Sequence, residues 1–158
     1  MLTTRLPDLV LKELGPADAQ TFYDLLQANR AHLTAHGDFV DDVSAPPERW
    51  ISEFAANARP GRRFGIFEAM RLVGRMDLVA VEPPKYGVGY WLAEQSTGRG
   101  YASAALTEIL AFARDELSAT DVFAGVTHGN ARSEGLLKRL GFRPVMTFER
   151  YTRFHRAL

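Results

Sequence analysis

Two residues in the stretch Gln95–Ser103, QSTGRGYAS, have the type and spacing that anion chemistry requires: Gly98 and Gly100. The stretch follows the strand-like run Tyr86–Ala93 and leads into a helical pattern in which Leu106, Ile109, Leu110, Ala113 and Leu117 recur on one face. Gly98 and Gly100 remove side chains at the bend, so another molecule can approach the backbone. The first turn of a helix leaves amide N–H groups without partners, and its dipole favours negative charge there. A strand, a glycine turn and a helix start together predict a cradle for a diphosphate. Hydrogen bonds to a charged group are worth about 1.5–3 kcal/mol each, so a few converging amides suffice without a lysine. The same residues also suit a plain strand-to-helix turn. Two other nucleotide motifs fail: there is no Gly-Lys-Ser/Thr run, and Ser103 stands where a dinucleotide fingerprint needs its third glycine.

The elements that must position this loop follow from the pattern of the chain. Asp8–Leu14 alternates as a strand, and Gly15-Pro16 opens a helix whose inward stripe is Ala19, Phe22, Leu25 and Leu26. A shorter turn is expected over Ala31–Ala35, and His36–Pro47 reads as irregular. Pro47–Asn57 reads as a helix with Trp50, Ile51 and Phe54 inward. Arg63–Ala69 and Leu72–Val81 predict a hairpin, and Pro83-Pro84 ends its second strand. Asp121–Thr127 is a buried strand, and Gly129–Leu140 is a short helix stopped by Gly141. Phe142–Phe148 and Glu149–His155 close the chain as paired strands. With no repeats or linker, residues 1–158 read as one α/β domain.

Composition narrows the function classes. The 158 residues carry 19 basic and 19 acidic side chains, so no global charge points to nucleic acid or an anionic membrane as partner. The absence of cysteine removes disulfides, thiolate metal sites and a cysteine nucleophile. No apolar run is long enough to span a bilayer, and the start lacks a secretory pattern, so cytoplasm is the expected location. No metal is expected.

A second stretch, His128–Phe142, HGNARSEGLLKRLGF, follows the glycine loop in order. The pair resembles the GCN5-related N-acetyltransferase (GNAT) superfamily, and most of all its RimJ/RimL-like branch of ribosomal-protein alanine acetyltransferases. The pyrophosphate signature Q/R-x-x-G-x-G/A is matched by Gln95, Gly98 and Gly100, and the branch's N-x-x-S…G-F by Asn130, Ser133 and Gly141-Phe142. Gly89–Leu92 (GYWL) and Asn29–Leu33 (NRAHL) also resemble that branch.

The resemblance implies a mixed twisted sheet of about six to seven strands flanked by helices, its fourth and fifth strands splayed around acetyl-CoA. It implies direct transfer of an acetyl group to a primary amine. Backbone groups at Leu92 and Ala93 would pair with the pantetheine arm, and the amides of Gly98, Arg99, Gly100, Tyr101, Ala102 and Ser103 would hold the diphosphate. Arg99 would add charge there, or simply face solvent. Asn130 would bind the pantetheine arm, or cap the following helix. The amide of Leu92 would donate to the oxyanion, and Ser133 would protonate the departing thiolate.

The chain departs from the family at three points. Leu137 stands where many relatives carry a tyrosine acid, Ser103-Ala104-Ala105 replaces Thr-Glu-Ala, and no strand glutamate precedes Asn130. The base is therefore unassigned among Asp77, Glu82, His32, His36, His128 and a water chain. Asp38, Asp41 and Asp42 would meet a cationic acceptor or form a solvated loop. Tyr90 and Tyr151 would line the acceptor channel or pack. An α-amino group of a protein or peptide is the expected acceptor. A small amine or antibiotic, or a CoA-binding regulatory module without turnover, are the alternatives, and a homodimer stays open.

Overall fold

The computed structural model describes residues 1–55 and 61–158. The chain runs through β1 (Leu2–Thr3), β2 (Leu9–Glu13), α1 (Ala19–Ala28), α2 (Arg30–Leu33), α3 (Val40–Ser44) and α4 (Pro47–Glu53). The hairpin β3 (Gly61–Glu68) and β4 (Arg71–Glu82) follows, then β5 (Lys85–Leu92) and α5 (Tyr101–Leu117). β6 (Asp121–Thr127), α6 (Ala131–Arg139), β7 (Arg143–Thr147) and β8 (Tyr151–Ala157) complete it. All eight strands join one sheet in the order β1-β2-β3-β4-β5-β6-β8-β7, with β5 and β6 as its parallel pair.

Two apolar cores form on the two faces of this sheet. Side chains alternate along a strand, so β5 sends Tyr86 and Val88 to one core and Trp91 to the other. The larger core packs α5 through Leu106, Ile109, Leu110 and Ala113 against strand residues such as Ile66, Met76 and Val122, and includes Leu137 of α6. The second core joins α1, α3 and α4, and centres on aromatic rings. Phe22 meets Trp50 at 4.8 Å, Phe54 at 5.0 Å and Trp91 at 5.6 Å between centroids. Edge-on arrangements of this kind suit the ring quadrupoles.

The structure revises several expectations. The described residues hold eight strands because Leu2–Thr3 adds a short edge strand, so the splayed pair is the fifth and sixth. The stretch His36–Pro47 holds a helix, α3, entered through Phe39 in a left-handed conformation (φ 59°). Five residues are too few to show a helical period in sequence. α4 ends at Glu53, and the last two residues of the expected helix, 56 and 57, lie outside the described residues. Ile51 is 50 % exposed rather than inward, since the short helix buries only Trp50. Leu25 is half-buried at the margin of the second core.

α3 and α4 are fastened to the sheet by a closed ring of six charges. Asp42 meets Arg75 at 3.1 Å, Arg75 meets Asp77 at 3.0 Å, and Asp77 meets Arg63 at 3.4 Å. Arg63 continues to Glu53 at 3.2 Å, Glu53 to Arg49 at 3.7 Å, and Arg49 back to Asp42 at 3.6 Å. Arg75 also lies over the rings of Phe22 and Trp50. Three carboxylates and three guanidinium groups alternate, so the ring is neutral, as partial burial of so many charges requires.

Candidate active site

The site grows from the end of β5. β5 and β6 pair only through Lys85–Asp121, Tyr86–Val122 and Gly87–Phe123. Beyond Gly87 the two strands part, leaving Val88–Leu92 without a β6 partner. The Ala93 N–H donates to the Val73 carbonyl at 2.8 Å. Backbone groups alternate in direction along a strand, so the N–H and C=O of Leu92 point the other way, into the gap. His32 confirms that direction: its Nε2 lies 3.2 Å from the Leu92 carbonyl. A carbonyl only accepts, so Nε2 carries the proton in that contact. Ala93 differs from Leu92, because its carbonyl also accepts from Ser96 N–H at 2.9 Å. Both Ala93 backbone groups thus bond within the protein, as the Leu92 carbonyl does through His32, and the Leu92 N–H is directed into the gap.

The gap opens into a cleft of about 500 Å³ lined by His32, His36, Tyr90, Leu92, Asn130 and Ser133, among others. Thr97 and Ala102, on either side of the glycine turn, line it as well. Gly98 and Gly100 both adopt positive φ (77° and 79°), which a side chain disfavours. A methyl at Gly98 would touch nothing within 4 Å, so the backbone there faces open space. α5 then runs for 17 residues with no acidic side chain in its first turn, so its N-terminal amides keep their attraction for an anion. Arg5 reaches within 3.8 Å of the space above Gly100, a cation that the sequence analysis did not single out. The distance in sequence between Arg5 and Gly100 left no local signal to find it by.

Arg99 is exposed beside the turn. It pairs with Glu68 at 3.2 Å and donates to the Tyr101 hydroxyl at 3.3 Å. The Tyr101 hydroxyl donates to Glu68 as well, and this bond, followed by Arg71, holds the Glu68 carboxyl below the usual range. Tyr101, Ala102 and Ser103 form the first turn of α5, half-buried.

On the far wall, Asn130 is the N-cap of α6 and its side chain accepts from Ser133 N–H at 3.2 Å. The cap orients Ser133 toward β5. There the Ser133 Oγ and the Tyr90 hydroxyl lie 2.7 Å apart, a contact that bridges the splayed strands. Burial pushes the Tyr90 phenol up, and the Ser133 hydrogen bond and Arg139 oppose it. Tyr90 therefore keeps its proton and can supply it to Ser133. This partnership was not legible in sequence, since 43 residues separate the two. Leu137 is fully buried in the core, a packing role that its hydrocarbon side chain suits and that offers no proton.

The remaining candidates scatter. Asp38 lines the cleft and accepts from Thr127 Oγ1 at 2.6 Å, Asp42 belongs to the charge ring, and Asp41 is exposed. His128 contacts Thr152 at 3.4 Å, Glu82 is exposed, and Tyr151 stacks on Phe148 at 4.7 Å. Asp77 is buried rather than solvated. Among the described residues no group of three or more His, Cys, Asp or Glu side chains is placed to hold a metal. No helix among them is long and apolar enough to cross a membrane.

The family model described as "Acetyltransferase (GNAT) domain" matches residues 8–143. The chain belongs to the GNAT acetyltransferase family. Its GNAT fold is shared with RimL, described as a ribosomal L7/L12 α-N-protein acetyltransferase in complex with coenzyme A (TM-score 0.85, 18 % identity, 96 % of this chain and 94 % of that one). It is shared equally with the ribosomal-protein-S5-alanine acetyltransferase from Vibrio fischeri (TM-score 0.86, 16 % identity, 99 % and 97 %). In sequence the chain is 25 % identical over 144 residues to the "Putative ribosomal N-acetyltransferase YdaF" of Bacillus subtilis strain 168, covering 85 % of this chain and 77 % of that protein. As a GNAT enzyme it is an N-acetyltransferase that uses acetyl-CoA to acetylate an amine.

Proposed function

We propose that this GNAT enzyme acetylates the α-amino group of a protein or peptide, acting as one catalytic domain in the cytoplasm. The observation that carries the reading is the N-x-x-S corner at the start of α6. There Asn130 caps the helix and Ser133 faces Tyr90 across the open strands. The likeness to RimL and to the S5-alanine enzyme over nearly the whole chain supports the choice of acceptor.

In this reading the diphosphate of acetyl-CoA lies on the amides from Gly98 to Ser103, with Arg5 and Arg99 nearby as cations. The pantetheine arm runs beside Leu92 and Asn130. The amine nitrogen attacks the thioester carbonyl carbon, the C–N bond forms, and the carbonyl oxygen gains negative charge. The Leu92 N–H, aimed into the gap, donates to that oxygen; such fixed donors are worth about 3 kcal/mol in the transition state. When the C–S bond breaks, Ser133 passes its proton to the thiolate and Tyr90 replaces it, while the proton shed by the attacking nitrogen leaves through water and restores the Tyr90 hydroxyl. Ser133 thereby acts where other relatives use a tyrosine on α6.

The test is thiol release from acetyl-CoA with a panel of free-N-terminal peptides and small amines, followed by mass spectrometry to locate the acetyl group. Acetyl on peptide α-nitrogen is the expected result. Acetyl only on small amines would replace this reading with the small-molecule one, and CoA binding without thiol release would leave a binding module.

A further inference from the structure

The cleft is lined from both faces of the sheet, and the two sides differ in chemistry. On one side stand Thr97, Ala102, Ser133 and Leu136, carried by the glycine turn, α5 and α6. On the other stand His32, His36, Asp38 and Phe39, carried by α2 and its connection to α3. Strand alternation positions this second group. Val122, Ala124 and Val126 of β6 enter the core under α5, so Thr127 projects to the opposite, α1–α4 face. Asp38 meets it there, accepting from Thr127 Oγ1 at 2.6 Å.

The α2–α3 connection therefore bridges the parted strands. At its start His32 Nε2 donates to the Leu92 carbonyl at the end of β5. Near its far end Asp38 is held by Thr127, the last residue of β6. Continuing the β5–β6 register from Gly87 and Phe123 by equal steps sets Trp91 level with Thr127, one residue from Leu92. The Asp38 carboxylate thus lies across the gap from the Leu92 N–H, at the depth where the thioester is placed.

Asp38 keeps capacity for a ligand. Oδ1 takes the Thr127 hydroxyl, and among the described residues no donor or cation reaches Oδ2. The side chain is half-buried, so an ion pair made there is partly shielded from water. The other carboxylates nearby do not share this place. Asp42 is occupied by the charge ring, Asp41 is exposed outside the cleft, and Glu94, which also lines the cleft, is exposed beyond the end of β5.

Resting on the α-amino reading above, we propose that Asp38 receives the acceptor's ammonium group and so determines which amines enter. The amine then approaches from the α1–α4 face, while Ser133 and Tyr90 serve the departing sulfur from the α5 face, where Tyr90 packs against the core. A carboxylate favours the charged form of a bound amine, so the pair tightens binding, and the amine loses one proton to water before it attacks. The effect of Asp38 therefore belongs to KM rather than kcat.

Steady-state thiol release with pentapeptides beginning in Ala or Ser, and with 1,4-diaminobutane, tests this. Asp38→Asn keeps an oxygen for Thr127 and removes the charge. It is expected to raise the peptide KM about 10–100-fold, with kcat, acetyl-CoA KM and Tm nearly unchanged. Asp38→Glu is expected to recover part of the loss. Glu94→Gln, which neutralises the other carboxylate lining the cleft, is expected to leave the peptide KM unchanged. A folded Asp38→Asn enzyme with the wild-type peptide KM would overturn the proposal and leave the α-amino reading standing. Equal rises in the peptide and acetyl-CoA KM would overturn it too, marking Asp38 as a tether of the cleft only. Acetylation of the diamine alone by the wild type would end the α-amino reading, and a raised diamine KM in Asp38→Asn would still uphold the ammonium site. A wild-type protein that binds acetyl-CoA yet acetylates none of these amines would overturn both.

Discussion

The roles proposed for Ser133 and Tyr90 rest on a contact that sequence could only half describe. The N-x-x-S spacing identifies Ser133, and the Asn130 cap explains its orientation, but the 2.7 Å contact to Tyr90 comes from the opposite wall. Ser133→Ala is expected to lower kcat about 100-fold, the scale of one positioned acid, with acetyl-CoA Kd nearly unchanged by calorimetry. Tyr90→Phe removes the proton behind Ser133 and is expected to lower kcat by a smaller factor. A double variant no slower than Ser133→Ala would show the two acting as one relay. Asp77 supplies a pH prediction. Burial raises its pKa, with Arg75 and Arg63 opposing. Between the ordinary carboxylate value and the raised folded one, the native state binds more protons than the unfolded state. Its contribution to stability is therefore present below that window and lost as pH rises through it. Asp77→Asn should remove that component, as read from thermal unfolding followed from the ordinary carboxylate range up to neutral pH.

At the scale of elements, the glycine turn and α5 were readable from local pattern, because one strand, one bend and one periodic helix are contiguous in sequence. Gly100→Ala sets a Cβ on a backbone at φ 79° and narrows the cradle. The strain costs about 1–2 kcal/mol of folding stability, and the added methyl beside the diphosphate's place is expected to weaken CoA binding about 10-fold by calorimetry. The anchoring of α3 and α4 was not readable. Asp42, Glu53, Arg63 and Asp77 look like ordinary surface charges until the fold closes them into one ring. Arg75→Met would leave Asp42 and Asp77 short of a buried partner. A cost of about 3–5 kcal/mol is expected, visible as a drop of roughly 10 °C in Tm.

For the whole molecule, ligand linkage gives the simplest check. Acetyl-CoA at 100 times its Kd should stabilise the fold by about 2.7 kcal/mol, a rise of about 5–10 °C for a chain of this size. A Gly100→Ala protein should show a smaller rise at the same concentration. No shift in either would remove the cleft as a CoA site.

What the chain determined by itself was everything encoded in neighbours. The alternation of β2 to β6, the glycine turn, the periodic face of α5 and the N-x-x-S start of α6 are all short-range patterns, and they were enough to reach the family. Tertiary structure alone decided where strands separate and which groups then face each other. Pairing of β5 with β6 stops after Gly87, which leaves Leu92 without a β6 partner and lets Tyr90 meet Ser133. Contacts between residues tens of positions apart depend on strand order and register, and no local preference in a sequence specifies either.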